Sequence, residues 1–218
     1  MTVPFIDSFR ADGSVINLAA LEPADIDFAA MAAGLSKLAR YNAACSCAAY
    51  SVAQHSVMGA DALMRETGDA VLAGYFLLHD GHEYLIGDIT RPALKLLDHH
   101  YTTEHRRRYR NRPAGHLTVA AALTRAKAEL DAVVHQAAAL PPLKSMPLYA
   151  RQVHDMDERM LRAETRALFG PKATQHLPSD NLPPPKLTGA ILPWGAAKAE
   201  LAFVERLGRY LNIIARPA

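Results

Sequence analysis

The sequence predicts an all-α fold, and three observations carry that expectation. Half of the 218 residues are apolar, with Ala and Leu prominent and β-branched runs scarce, a mix that favours helix over sheet. Apolar residues recur at three- to four-residue steps in several segments, the period of one helix face. Glycines and prolines fall between those segments and divide them into separate elements. One domain is expected over 1–218, with a core at about 26–169 and an extension at 170–218 made of a proline-rich strap and a closing helix.

Residues 1–25 hold turn formers such as Ala11-Asp12-Gly13-Ser14 ahead of Val15-Ile16-Asn17-Leu18, so a loose arm packed on the domain is expected. Asp25 is suited to cap a helix running to about Leu38, with Ile26, Ala29, Ala33 and Leu38 toward one side. Tyr50 to Arg65 reads as a helix with Val52, Ser56, Gly59 and Leu63 as an apolar or small stripe, ended by Gly68. Asp69 to Tyr84 reads as a second helix, apolar nearly all round from Ala70 to Leu78, as suits a central buried element.

Gly87 and Pro92 then break the pattern, which makes Ile86 to Arg91 a loop. His99 to Arg112 is polar and basic through Arg106, Arg107, Arg108, Arg110 and Arg112. It reads as a solvated helix or loop, with attraction of a polyphosphate or a partner as the alternative. Leu117 to Leu140 and Leu148 to Phe169 are long helices, stopped by Pro141-Pro142 and Gly170-Pro171. Residues 171–194 form an ordered or mobile strap, and Ala196 to Ile214 closes the domain with Leu201, Val204, Leu207 and Leu211 inward.

Composition excludes some functions. Lys plus Arg number 24 against 22 Asp plus Glu, a net charge of +2, which gives no footing for non-specific binding to a nucleic-acid polymer or a membrane. No apolar run approaches the roughly 20 residues of a membrane span, and no basic-then-apolar start suggests a signal peptide. Cys45 and Cys47 are too few for a disulfide framework and too close for a zinc pair, so free thiols in a reducing cytoplasm are expected.

The chemistry concentrates where the apolar helix 69–84 finishes in Leu78-His79-Asp80-Gly81-His82-Glu83. Burying such ionisable groups unpaired costs several kcal/mol, and a divalent cation would satisfy them together. Glu83 is four residues past His79 and three past Asp80, so all three face one cleft if the helix runs that far. Imidazole with carboxylate suits Mn²⁺, Fe²⁺, Co²⁺, Ni²⁺ or Zn²⁺ better than Ca²⁺. The doublet alone is unspecific, since a second His-Asp pair stands at His154-Asp155. It has company in His55 on the preceding helix and Asp157 on a later one.

The order His … His-Asp … Asp on successive helices resembles the signature of the HD-domain metal-dependent phosphohydrolases. The flanking stretches Arg40-Tyr41-Asn42, Tyr50-Ser51-Val52-Ala53-Gln54-His55-Ser56, Leu77 to Ile89, and Asp157-Glu158-Arg159 … Glu164 are similar to the 5′-deoxynucleotidase-like branch of that superfamily. The resemblance covers roughly 13–169, with a weaker echo in 190–211. It implies an HD-type helical bundle that binds one divalent transition metal through His55, His79, Asp80 and Asp157. Asp157 is preferred to Asp155 because relatives place Arg two residues and Glu seven residues after the ligand, as Arg159 and Glu164 stand here.

The same resemblance implies Glu83 as the catalytic acid/base working beside Asp80. It implies Arg40, fifteen residues before His55, as a substrate-binding arginine followed by the aromatic Tyr41, with Asp88 and Arg91 also at the substrate. The chain departs from relatives at Ala43-Ala44-Cys45-Ser46-Cys47, where many have Gly-His, and at His82. His82 is read as an extra ligand, a phosphate contact, or a solvent-facing or structural bystander. The expected activity is removal of phosphate from a small nucleotide, best a deoxyribonucleoside 5′-monophosphate, by a cytoplasmic enzyme that could form a homodimer. The alternatives are a nucleoside triphosphohydrolase and a nucleotide-binding protein without turnover.

Overall fold

A computed structural model describes residues 3–109, 118–178 and 181–216, and the chain is mostly helical, as expected. The arm is more ordered than its composition suggests. β1 (Asp7–Phe9) pairs antiparallel with β2 (Val15–Asn17), Ser8 opposite Ile16. The first helix, α1 (Phe28–Lys37), is capped by Asp27 rather than Asp25. Asp27 Oδ1 accepts from the amides of Ala29 and Ala30, whereas Asp25 ends a short 3₁₀ turn, Pro23–Asp25. Its inner face buries Met31, Ala32 and Leu35, while Ala29 and Ala33 lie at its edge.

The centre is α2 (Val52–Thr67), capped by Ser51 and closed by Gly68 at φ +71°, where a side chain would be strained. Its residues from Val52 to Ala60 are all buried. Against it pack α1, α3 (Ala70–Leu78), α7 (Pro147–Phe169) and α9 (Ala196–Leu211). Gly59 permits a close approach of α3. A Cβ there would lie 2.1 Å from Cε1 of Phe76, a fully buried ring on α3. Gly59→Ala is therefore expected to cost about 1–3 kcal/mol through overpacking. An unchanged urea midpoint would contradict this contact.

The expected helix 69–84 stops at Leu78. The chain turns through residues 79–82 and restarts as the single turn α4 (Glu83–Ile86). Gly81 sits so close to its own chain that a Cβ would meet the Leu78 carbonyl at 2.9 Å. The expected loop shortens to 87–90, because Pro92 opens α5 (Arg91–Arg108) instead of breaking a helix. α6 (Val119–Ala137) is capped by Thr118, with Leu117, Arg110 and Arg112 outside the described residues. α5 buries no residue, and α6 buries only Leu130, Val134 and His135 near its far end.

α8 (Pro171–Thr174) is one short turn, and the strap beyond it is pinned. Arg159 on α7 forks onto Glu66 at 2.8 and 2.6 Å and reaches the Pro183 and Pro184 carbonyls. The Gln54 amide donates to Leu192 O and accepts from the Trp194 amide, both at 2.8 Å. On α9 the inward residues are Ala199, Phe203, Leu207 and Tyr210, and Leu201 faces outward at 57% exposure. Among the described residues no helix is long and apolar enough to cross a membrane. Cys45 and Cys47, expected as free thiols, are joined as a disulfide. The two Cα atoms lie 5.3 Å apart, within bridging range.

Candidate metal centre

The four expected ligands come from three elements and converge. α2 contributes His55, the turn after α3 contributes His79 and Asp80, and α7 contributes Asp157. Asp80 Oδ2 is 3.2 Å from His79 Nε2. Asp157 Oδ1 is 3.4 Å from His55 Nε2 and 3.9 Å from His79 Nε2. Asp155, the alternative ligand, points to Arg151 on the same helix at 3.7 Å.

The hydrogen bonds behind the rings decide what these atoms can do. His55 Nδ1 lies 2.6 Å from Glu164 Oε1, and His79 Nδ1 lies 2.6 Å from the Phe76 carbonyl. In each neutral ring Nδ1 therefore carries the hydrogen and Nε2 presents a bare lone pair. The two Nε2 atoms face each other across 3.3 Å with two carboxylate oxygens beside them. Electron-rich atoms crowd together there with no hydrogen between them, so a cation or extra protons must enter. Imidazoles backed by a carboxylate or a carbonyl are also how metal-ligating histidines are commonly held. The buried and half-buried cluster of His55, His79, Asp80, His82 and Glu83 could thus hold a metal ion.

Glu164 organises one side of this centre, and it is the residue the sequence analysis undervalued. Its carboxylate is fully buried. It accepts from Tyr50 Oη at 3.0 Å, Tyr41 Oη at 2.7 Å and Arg40 Nε at 3.2 Å, besides His55. Burial alone would raise its pKa, but Arg40 and His55 outweigh that and hold it below the usual range. A signal for it does exist in the sequence. Glu164 continues the inward stripe of α7 through Val153, Met156 and Met160, where an unpartnered acid would be costly.

The expected substrate residues surround the cluster unevenly. Arg40 reaches Asp80 Oδ2 with Nη1 at 3.3 Å, so its guanidinium adjoins the centre. Tyr41, expected at the substrate, spends its hydroxyl on Glu164 and sets its ring against Phe169, which makes it a support for Arg40. Arg91, at the start of α5, is 58% exposed, pairs with Glu158 and lies 3.8 Å from Asp157 Oδ2. Asp88 is half-buried on the loop before α5.

Glu83 is not on one helical face with His79, as a continuous helix would require. The turn instead groups it with Asp80 and His82. Lys127 of α6 approaches its Oε1 at 3.5 Å. Burial first, then the charges of Asp80 and Asp88, push Glu83 up to about 8. His82 is buried rather than solvent-facing, its Nδ1 2.7 Å from Asp131 Oδ1.

Comparison with protein-family models and with curated protein sequences gives no match.

Without a cation, protons hold the centre together. Burial opposes charge on His79, but Asp80 and Asp157 outweigh it and raise its pKa well above the ordinary 6.5. A raised pKa gives stability that is lost as pH rises. Glu83 acts in the same direction, because the folded state keeps its proton from 4.5 up to about 8 while the unfolded chain releases it. Metal-free protein in EDTA is therefore expected to melt lower at pH 8.5 than at pH 6, and added Mn²⁺ should reverse this at pH 8.5. Equal melting temperatures at the two pH values, measured by differential scanning fluorimetry, would contradict the assignment.

Proposed function

We propose that this chain is an HD-domain metal-dependent phosphohydrolase that removes phosphate from small nucleotides, with deoxyribonucleoside 5′-monophosphates as the preferred class. The metal part of this reading rests on the two imidazole Nε2 atoms 3.3 Å apart, flanked by Asp80 and Asp157, and the phosphohydrolase part on the sequence resemblance. A single divalent transition ion (Mn²⁺, Fe²⁺, Co²⁺, Ni²⁺ or Zn²⁺) held there supplies Lewis-acid polarisation of a phosphoryl oxygen and makes water more acidic.

The chain's own residues do the rest. Arg40 offers a planar fork of donors to a phosphate, positioned by Glu164 and Tyr41. Arg91, largely exposed, adds a second cation at the mouth. Glu83 carries a proton near neutrality and can pass it to the departing 5′-oxygen. Asp80 joins the centre to Arg40 through one oxygen. Asp88, half-buried on the loop before α5, is assigned to the sugar or the leaving side of the substrate. We place the reaction in the cytoplasm, with its small nucleotide substrate.

The triphosphohydrolase alternative drew on the basic stretch. Arg106 lies fifteen residues along α5 from Arg91, about 22 Å at 1.5 Å per residue. That is too far for Arg106, Arg107 or Arg108 to meet phosphates bound at the centre. The test is phosphate release from a panel of nucleoside mono- and triphosphates with Mn²⁺ or Co²⁺, repeated with EDTA. Release of inorganic phosphate from deoxynucleoside monophosphates, abolished by EDTA, is expected. Binding without release under every metal would leave a nucleotide-binding protein instead.

A further inference from the structure

The turn after α3 carries polar atoms that the first centre does not use. Asp80 meets His55, His79 and Arg40 through Oδ2 alone among the described contacts. His82 and Glu83 are 3% and 5% exposed. Nε2 of His82 and Oε2 of Glu83 are each buried without a hydrogen-bond partner. Two such atoms in one four-residue segment are costly to leave unpaired, the more so for a charged group.

The same segment has the layout of a ligand set. Asp80, His82 and Glu83 each offer one ligand atom, and these atoms lie within 4.8 Å of one another. His82 is held as His55 is held, with Nδ1 against a carboxylate, here Asp131 Oδ1 at 2.7 Å. Its Nδ1 therefore keeps the hydrogen and its Nε2 has a bare lone pair. Lys127 partly neutralises Glu83 through Oε1 at 3.5 Å and leaves Oε2 bare.

We propose that Asp80, His82 and Glu83 form a second divalent-cation site that shares the Asp80 carboxylate with the first. Three protein ligands leave coordination positions for water, as in open metal sites. A carboxylate bridging two ions sets them about 3.5–4 Å apart. The imidazole and two carboxylates suit the same ions as the first centre. Filling the second site makes Glu83 a ligand, which cannot then also pass a proton, so excess cation should slow turnover. The inference rests on the first centre through Asp80, and a count of ions separates the two.

The test uses the full chain, stripped with EDTA, dialysed and titrated with Mn²⁺, with bound ions counted by equilibrium dialysis. The wild type should take up two Mn²⁺ per chain, and His82→Asn and Glu83→Gln one each. Low-temperature EPR of the loaded wild type should show an exchange-coupled pair that both variants lack. A wild type that saturates at one ion overturns the second site and leaves the first standing. Two ions retained in both variants overturn it as well, and no ion in the wild type overturns both centres. If His82→Asn does not fold, the wild-type count and Glu83→Gln, which preserves size and shape, decide the matter.

Discussion

Replacing Glu164 with Ala is expected to destabilise the protein by about 3–5 kcal/mol, the usual cost of removing one partner from a buried ion pair. Four groups lose an acceptor at once: Arg40, Tyr41, Tyr50 and His55. Arg40 keeps its contact to Asp80, Tyr50 keeps only the weak acceptor Met58 Sδ at 3.7 Å, and the Tyr41 hydroxyl loses its acceptor. With total stability of roughly 5–15 kcal/mol for a domain of this kind, such a loss removes a large share of it. The effect reaches the metal centre too. His55 loses the bond that fixes its tautomer, which should weaken metal affinity on the order of 10–100-fold. Denaturant unfolding and Mn²⁺ titration of Glu164→Ala check both effects. A change under about 1 kcal/mol would show that the carboxylate does not hold this network together.

The second large effect belongs to Asp80→Asn. Asp80 touches His55, His79 and Arg40 and shares a cluster with His82 and Glu83, so it joins the groups of the centre. The substitution preserves size and removes the charge. The fold should persist, with a lower melting temperature in EDTA, because Asp80 pairs with Arg40 and His79, a loss only partly offset by relief of its repulsion of Glu83 and Asp88. Metal-dependent turnover should fall by about a thousandfold or more, from several kcal/mol of lost charge stabilisation at 1.36 kcal/mol per factor of ten. Wild-type turnover in Asp80→Asn would exclude Asp80 from the chemistry.

The all-α fold was legible because periodicity reports burial, whereas the grouping of His55, His79, Asp80 and Asp157 was implied by the family resemblance. α2 and α7 appear where Val52, Ser56, Gly59 and Leu63, and the span Leu148 to Phe169, place them. Periodicity cannot report a helix that stops for tertiary reasons. α3 ends at Leu78 although the following residues look helical, and the close approach of Gly81 to the Leu78 carbonyl is invisible in one dimension. After that break Glu83 lies in one cluster with Asp80 and His82.

Partners of buried polar groups were equally hidden. Nothing local to His82 announces Asp131, 49 residues later, and nothing local to Arg40 announces Glu164, 124 residues later. Each pairing exists only because α6 or α7 packs where it does. The cap at Asp27 and the pairing of Cys45 with Cys47 are local, yet they depend on backbone angles that composition alone does not fix.

The most direct measurement is an anomalous difference map from a Zn²⁺-soaked crystal of the full chain, collected above the zinc edge. The strongest peak is expected about 2.0–2.2 Å from His55 Nε2, His79 Nε2 and a carboxylate oxygen of each of Asp80 and Asp157. A map without a peak among these four side chains, at a zinc concentration that fills other sites, would contradict the metal centre and the hydrolase reading built on it.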